Sequence, residues 1–387
     1  MKRVNTVLAI IMLVVAGCGG NRQVNDSDGF ITVDVTASYP QKELALQDFM
    51  DVEYVALETG GEFYTQALVQ AIGKDIIIVT NAGDGDIFFF DRNGKGLRKI
   101  NRRGQGPEEY RAASSITLDE ENNEMFVNDF PSRKIVVYDL YGKYKRHFRH
   151  RERTYYVRIT NFDKDHLMCF QEFYPGLDEE NNRNSFFIVS KQDGSIQEVE
   201  FPFKKKISAT MSVQQENRTY IRGPRNNPLV PFENNWVITE ASTDTVYRYL
   251  TDHSLRPFIV RTPSVQSMEP VVFLFPIILT DRYYFMQTVK MEYDFQSRTG
   301  FPRTDLMYDR QGKTIFRTTV YNSDYTVKKP VEMHHLTFGE NAFLQKIEAD
   351  ELFEDYGKGV LKGKLKEIAS KLKEEDNPVI MLVKHKK

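Results

Sequence analysis

The chain alternates short, nearly continuous apolar runs with polar turns, and one version of this pattern recurs along it. Each recurrence has an apolar run, a turn bearing Asp or Gly, and a second run. The runs are short and rich in β-branched and aromatic residues, which predicts β-hairpins. The predicted hairpins occupy residues 87–100, 135–148, 186–199, 246–259 and 306–319.

The turns of these hairpins recur at a spacing near fifty residues. Their anchors are Gly94, Gly142, Gly194, His253 and Gly312, and the differences between those numbers are 48, 52, 59 and 59. Another apolar run precedes each hairpin, at residues 75–79, 124–128, 166–170, 236–240 and 283–287. With an inner strand before each run, the unit has four antiparallel strands. Units of this kind and length are typical of propeller blades.

A sixth blade can be assembled from the two ends of the pattern. Val52–Leu57 offers one strand and Val379–Val383 offers another. A ring that takes a strand from each end has no open edge, which favours this closure. The sequence therefore predicts an all-β, six-bladed β-propeller with four-stranded antiparallel blades. It forms one domain over residues 30–387.

The first residues resemble a bacterial lipoprotein signal. Lys2 and Arg3 precede an apolar run at residues 7–17, and small residues lead into Cys18. The resemblance implies a signal peptide over residues 1–17, cleavage before Cys18 and lipid attachment to Cys18, with residues 18–29 as a polar, flexible tether. A plain secretory peptide or a short buried helix is the alternative. If Cys18 is acylated, Cys169 has no disulfide partner.

Larger stretches of the chain resemble known families. Residues 93–148 look like an NHL-type repeat. The whole chain is more similar to the six-bladed propeller lipoproteins of Bacteroidetes, through the lipid-attachment signal and the segments VEYVALET, FDRNGKGLRKI, RRGQGPEEY, STDTVYRYL and EEDNPVIMLVK. This resemblance implies the fold and a place in the cell envelope. The expected place is the outer membrane, on its periplasmic or surface side; no reaction is implied.

The net charge of the chain limits the classes of partner that it is expected to bind. The formal net charge is −2, so the chain has no basic field of the kind that nucleic-acid binding requires. Beyond a lipid bilayer reached through acylated Cys18, we expect a glycan or peptide ligand, no cofactor and a monomeric protein.

Three long connections are predicted on one face of the ring. In a four-stranded blade, the loop between the second and third strands shares a face with the links between blades, because strands alternate in direction. The long examples are residues 171–185, residues 289–304 and a helical insert in the sixth blade. The insert carries an apolar stripe of Leu361, Leu365, Ile368 and Leu372. The stripe is interpreted as packing onto the rim; a membrane- or partner-binding helix is the alternative.

The candidate ligand-binding residues are aromatic and arginine side chains near this face. They are Arg102, Arg103, Tyr174, Tyr293, Arg298 and Arg303. Arg102 and Arg103 lie in RRGQGPEEY, which has two glycines but lacks the pattern of a phosphate loop and is predicted to link two blades. We hypothesise non-catalytic binding of a glycan or peptide at the face that bears the long loops. An equally open alternative is that these aromatic side chains only stabilise the folded conformation of the long loops.

No motif indicates catalysis, and no catalytic or metal-binding residue is predicted. The adjacent His334 and His335 would point to opposite sides of a strand and could not easily share a metal. Two alternatives to a binding protein stay open. One is a metal-dependent enzyme of the lactonase or lyase type with its site in the central channel, and the other is a protein-interaction scaffold.

Overall fold

The structure is a computed structural model, and it describes residues 30–174, 184–216, 218–224, 226–333 and 341–386. The predicted signal peptide, the tether with Cys18, and His334 and His335 lie outside the described residues. Within the described residues, none of the helices has the length and apolar character needed to cross a membrane.

The N-terminal part of the described chain forms three strands and a one-turn helix. They are β1 (Ile31–Asp34), β2 (Gln41–Ala45), α1 (Leu46–Phe49) and β3 (Met50–Ala56).

The first three blades are sheets of four sequential antiparallel strands. Blade 1 contains β4 (Leu68–Ile72), β5 (Ile76–Thr80), β6 (Asp86–Asp91) and β7 (Gly96–Asn101). Blade 2 contains β8 (Ser115–Asp119), β9 (Glu124–Asp129), β10 (Lys134–Asp139) and β11 (Tyr144–Arg149), with a 3-10 turn at Phe130–Ser132. Blade 3 contains β12 (Tyr156–Asn161), β13 (His166–Gln171), β14 (Phe186–Ser190) and β15 (Ile196–Val199).

The next two blades repeat this order and carry small additions. A hairpin of β16 (Met211–Gln215) and β17 (Arg218–Arg222) precedes blade 4, which contains β18 (Leu229–Phe232), β19 (Asn235–Ile238), β20 (Thr245–Tyr249) and β21 (Leu255–Thr262). A 3-10 turn at Val265–Ser267 leads to blade 5. Blade 5 and its hairpin contain β22 (Val272–Leu279), β23 (Tyr283–Lys290), β24 (Tyr293–Asp294), β25 (Thr299–Gly300), β26 (Arg303–Asp309), β27 (Thr314–Asn322) and β28 (Lys329–Pro330).

The sixth blade closes the ring with strands from both ends of the described chain. Among the described residues it consists of β29 (Asn341–Ile347), β30 (Val379–His385) and β3. Strand β30 lies between the other two, with Val52 opposite Val383 and Val55 opposite Ile380. The predicted six-bladed all-β propeller and its closure are confirmed.

Two strands in the ring were not predicted. Strand β1 pairs in parallel with the outer strand β21 of blade 4, and β2 pairs in parallel with the outer strand β27 of blade 5. The N-terminal segment thus runs along the outer edges of three successive blades. Since Ile31 and Val33 are buried while their neighbours are partly exposed, these strands carry a period-two pattern that differs from the continuous apolar runs of the blades.

The hairpin turns pack against the outer strand of the preceding blade. A Cβ atom on Gly94 would lie 2.0 Å from the Ala56 carbonyl oxygen of β3, and Gly94 has φ +86°. The turns of the next two blades approach Ile100 of β7 and Phe148 of β11 in the same way. This repeated contact explains the glycine at Gly94, Gly142 and Gly194, whereas Gly312 in blade 5 has only ordinary contacts within its own turn. In blade 4 the anchor is His253, which adopts φ +63° itself.

The apolar cores lie between adjacent blades. One core joins residues of blades 1 and 2, including Ile78, Phe89 and Val127. Another joins blades 2 and 3, including Phe126, Ile135 and Cys169. Each sheet is therefore covered on both faces, which accounts for the nearly continuous apolar runs. Cys169 is a buried free thiol in this packing, and burial raises its pKa well above the ordinary value.

The long connections of blades 3 and 5 join the second and third strands of their blades, as predicted, and the insert of blade 6 joins β29 to β30. The insert of blade 6 forms two short helices, α2 (Ala349–Gly357) and α3 (Gly363–Ala369), rather than one long helix. Leu361 and Leu365 are buried in the core between blades 5 and 6, and Ile368 and Leu372 pack against it. The stripe therefore packs onto the ring, as the interpretation held.

Candidate functional site

The link RRGQGPEEY is held in place by hydrogen bonds within the protein. The buried Tyr110 hydroxyl donates to the Gly85 carbonyl at 2.7 Å, and its backbone N–H donates to the Arg102 carbonyl at 3.1 Å. The Arg102 Nε donates to the Gly142 carbonyl at 3.0 Å, and the Arg103 guanidinium donates to the Gly83 carbonyl. Both arginines are exposed. Their role in ligand binding stays a prediction.

The aromatic residues of the blade 5 connection pack on one another. The Tyr293 ring stacks on Phe301 with centroids 5.0 Å apart and meets Phe295 edge-on at 4.9 Å. Phe301 is buried, whereas Arg298 is exposed on the β24–β25 hairpin. Tyr293 thus helps to fold its own loop, and ligand contacts by Tyr293 and Arg298 stay predictions.

Arg303 belongs to a polar cluster between blades 4 and 5. Its guanidinium donates to Gln287 Oε1 at 2.8 Å and to the Pro224 carbonyl. Gln287 also accepts from Asn226 Nδ2 at 3.1 Å and donates to Asp305 at 2.7 Å. The contacts of Arg303 share no residue with those of Arg102 and Arg103, so the structure does not join these predicted residues into one cluster.

A small cavity of about 40 Å³ lies beside this cluster, between blades 3 and 4. Its wall includes a buried ion pair in which Lys206 Nζ lies 2.9 Å from Glu240 Oε1. The Ser185 hydroxyl is 2.6 Å from the same Nζ, and the Ser242 hydroxyl donates to Glu240 at 2.8 Å. The Lys206 ammonium and the Glu240 carboxylate therefore both have hydrogen-bonding partners in addition to each other. The predicted residue Tyr174 is half-buried two positions after Glu172 of the cavity wall, and its ligand contact stays a prediction.

Glu172 lies in the wall of this cavity, and the pKa of its carboxyl is raised. Burial raises the pKa of its carboxyl to about 7, and the nearby Glu240 adds to the rise. The positive charges of Lys206 and Arg158 lower the pKa of Glu172 but do not bring it back to the ordinary value. A buried carboxyl with such a pKa is frequently found at functional sites.

The large cavity of the structure is a channel of about 1040 Å³ along the innermost strands. Its wall is built from β4, β8, β12 and β18, the first strands of blades 1 to 4. Polar side chains from these strands line it, among them Gln70, Thr117 and Thr160. Charged residues, including Lys74, Glu120 and Lys164, lie at the end where the first and second strands connect.

Within the part of the chain that the structure describes, two channel-lining residues have buried polar atoms without a hydrogen-bond partner. These atoms are the Ser115 hydroxyl and Asn161 Oδ1. The Asn161 Nδ2 atom, in contrast, donates to the Leu118 carbonyl at 2.7 Å, which fixes the amide in the wall. Because buried polar atoms are nearly always paired, a small side-chain movement that exposes these two atoms would let a ligand or an ordered water pair with them.

The wall also contains the one tryptophan of the sequence. Trp236 of β19 is half-buried and donates from Nε1 to the Phe162 carbonyl at 3.3 Å. Its ring lines the channel on the side of blade 4. An aromatic face beside hydrogen-bonding groups is a common arrangement for holding sugar rings or planar peptide groups.

Arg158 of β12 and Asp119 of β8 are charged residues of the wall that lie within inner strands, and Asp119 is paired with Lys191 Nζ at 2.8 Å. Burial lowers the pKa of the Arg158 guanidinium, and the charge of Glu172 opposes this. Sequence patterns could not identify Ser115, Arg158, Asn161 or Trp236, because their strands read as ordinary β-structure and the ring geometry alone places them together.

The described residues contain no group of three or more His, Cys, Asp or Glu side chains placed to hold a metal ion. What the channel offers is hydrogen-bond donors and acceptors, an aromatic face and a guanidinium. This arrangement can bind and orient a polar molecule.

Comparison with known proteins gives a family and a fold. A family model described as "Domain of unknown function (DUF4934)" matches residues 30–384. A crystal structure from Bacteroides fragilis NCTC 9343, described as a "Putative exported protein", superposes with a TM-score of 0.60 at 14% identity, covering 90% of this chain and 99% of that one. A Bacteroides vulgatus member of the duf4221 family has a TM-score of 0.47 at 9% identity, covering 87% and 97%. None of the curated proteins matches the sequence.

Proposed function

The chain belongs to the DUF4934 family, and we propose that it is a lipid-anchored envelope protein that binds a glycan or peptide non-catalytically in its central channel. The observation that carries this proposal is the channel of about 1040 Å³, whose wall holds unpaired polar atoms of Ser115 and Asn161 and also the ring of Trp236. This volume lies at the upper end of the range for small-molecule sites, which suits an oligomeric ligand.

Two observations support the envelope location. The sequence around Cys18 follows the order of a lipoprotein signal, with cationic residues, an apolar run and small residues before the cysteine. The similar Bacteroides fragilis protein is itself described as exported. Several acyl chains on Cys18 would anchor the propeller firmly, whereas one chain binds only marginally.

Replacement of Cys18 by serine is expected to release the protein from the membrane fraction. The substitution removes the thiol that would carry the lipid and leaves the propeller residues unchanged. Fractionation of cells and incorporation of labelled palmitate would measure the effect. Retention of label by C18S would contradict acylation at this residue.

The variant Thr160→Tyr is expected to weaken ligand binding by about tenfold or more, because the added ring fills part of the channel that Thr160 lines. Binding would be measured by calorimetry on the full-length chain in detergent, with neutral and acidic tri- to hexasaccharides and with short peptides as probes. The matched control is Ser38→Tyr, since Ser38 is exposed between β1 and β2.

Ser115→Ala is a second variant that adds no bulk. It removes a hydroxyl that has no intramolecular partner, so stability is expected to be unchanged while affinity falls several-fold.

A probe that binds wild type and T160Y with equal affinity would place the site outside the channel. Failure of both the saccharide and peptide sets would contradict this ligand assignment.

A further inference from the structure

Arg158 differs from Arg146 of the outer strand β11 and Arg303 of β26 in having no hydrogen-bond or ion-pair partner among the described residues. Among the described residues, its guanidinium makes no hydrogen bond or ion pair within 4.0 Å, and Glu172 acts on it only through longer-range attraction. Arg146, by comparison, holds Glu124 with two hydrogen bonds of 2.6 and 2.7 Å. Arg303 is engaged by Gln287 and Pro224.

The acidic residues near Arg158, Glu172 and Glu240, do not act as its ion-pair partner. Glu240 is committed to Lys206 and Ser242. Glu172 is a weak counter-charge, because burial and Glu240 hold its pKa near 7 and leave it partly protonated at neutral pH. Arg158 is half-buried and lines the channel. Its donors therefore face space that a ligand can occupy.

A half-buried cation without a contacting anion loses part of its hydration without compensation, and a bound anion would supply that compensation. The planar guanidinium has two parallel donors that match the two oxygens of a carboxylate. A phosphate group would bring more negative charge next to Glu172 and Glu240, and such groups usually recruit several cations or a helix N-terminus. One guanidinium beside these acids fits a singly charged, planar anion best.

We infer that Arg158 receives a carboxylate of the ligand, so that the channel selects acidic glycans or peptides with a free C-terminal carboxylate over their neutral counterparts. This inference rests on the proposed function, because it assigns the ligand class of the same channel. Ser115, Asn161 and Trp236 would then contact the uncharged remainder of the ligand.

The test compares matched acidic and neutral probes on the full-length chain at constant ionic strength. The probes are acetate against acetamide, trigalacturonate against its methyl ester, and trialanine against trialanine amide. Calorimetry gives affinities, and thermal unfolding gives the shift caused by acetate relative to chloride. The saccharide and peptide arms distinguish the two sources of the carboxylate.

The variants are Arg158→Gln, Arg158→Lys and the control Arg256→Gln, whose side chain is exposed on β21. Wild type is expected to prefer acidic probes by about ten- to hundredfold. R158Q should lose this preference, R158K should keep part of it, and R256Q should leave it unchanged. If Arg158 only positioned Glu172, R158Q would leave the ratio of the affinities for acidic and neutral probes unchanged.

The inference is overturned if R158Q retains the wild-type preference, or if no carboxylate probe binds better than its neutral counterpart and acetate raises the unfolding temperature no more than chloride does. These results are separable from failure of the proposed function. If T160Y blocks binding while R158Q keeps the preference, the channel binds ligand and only the role of Arg158 is wrong. If T160Y has no effect, the channel site itself is wrong.

Discussion

A chain that ends at Pro378 is expected not to fold cooperatively, since it lacks β30, the strand between β29 and β3. Val379 to Val383 are each at most 1% exposed. At about 1.5–3 kcal/mol per buried apolar side chain, their loss amounts to the order of 10 kcal/mol. That is comparable with the roughly 5–15 kcal/mol that stabilises a typical protein. The hydrogen bonds to both neighbouring strands are lost as well.

Thermal and denaturant unfolding followed by circular dichroism would measure this effect. The matched control is a chain that ends at His385, which removes Lys387 and the exposed Lys386 with its hydrogen bonds to the Gln47 and Asp48 carbonyls. The control should melt close to wild type. Cooperative melting of the chain ending at Pro378, within a few degrees of wild type, would contradict closure of the ring by β30.

Glu240→Ala is expected to destabilise the protein by about 3–5 kcal/mol, because it leaves the ammonium of Lys206 buried without its counter-charge. The side chains of Lys206 and Glu240 are 10% and 2% exposed, so water cannot take over this role. Denaturant unfolding would give the change in the free energy of unfolding. Adding Lys206→Met to E240A should recover much of the loss, since it removes the stranded charge.

The exposed pair of Lys364 and Glu367 provides the control for this experiment. Its side chains are 69% and 66% exposed at an N–O distance of 3.2 Å. Glu367→Ala should therefore change the free energy of unfolding by less than about 1 kcal/mol. If E240A cost no more than E367A, or if Lys206→Met gave no recovery, the buried pair would not have the role that its contacts indicate.

The ring itself could be predicted because its signals are local. Each blade repeats a hairpin turn such as Gly94 or Gly142, and the continuous apolar runs follow from sheets that are covered on both faces. The closing strand was also predictable, since Val379–Val383 is an apolar run with no hairpin partner nearby in the sequence. The parallel strands β1 and β2 were missed because they are short, with 4 and 5 residues, and lie outside the recurring hairpin pattern.

The candidate site could not be predicted in the same way. Ser115, Arg158 and Trp236 come from three different blades, and only the closed ring brings their strands around one channel. The residues chosen from sequence were loop residues with conspicuous side chains. Tyr293 and Arg303 make contacts within the protein that loop composition does not reveal.

The most direct test of ligand binding in the channel is a crystal structure of the full-length protein with the tightest-binding probe. Electron density for the ligand is predicted along β8 and β12, within hydrogen-bond distance of the Ser115 hydroxyl and Asn161 Oδ1, with its carboxylate on Arg158. Density for the ligand on the outer surface of the long connections, away from these three residues, would contradict the proposed site.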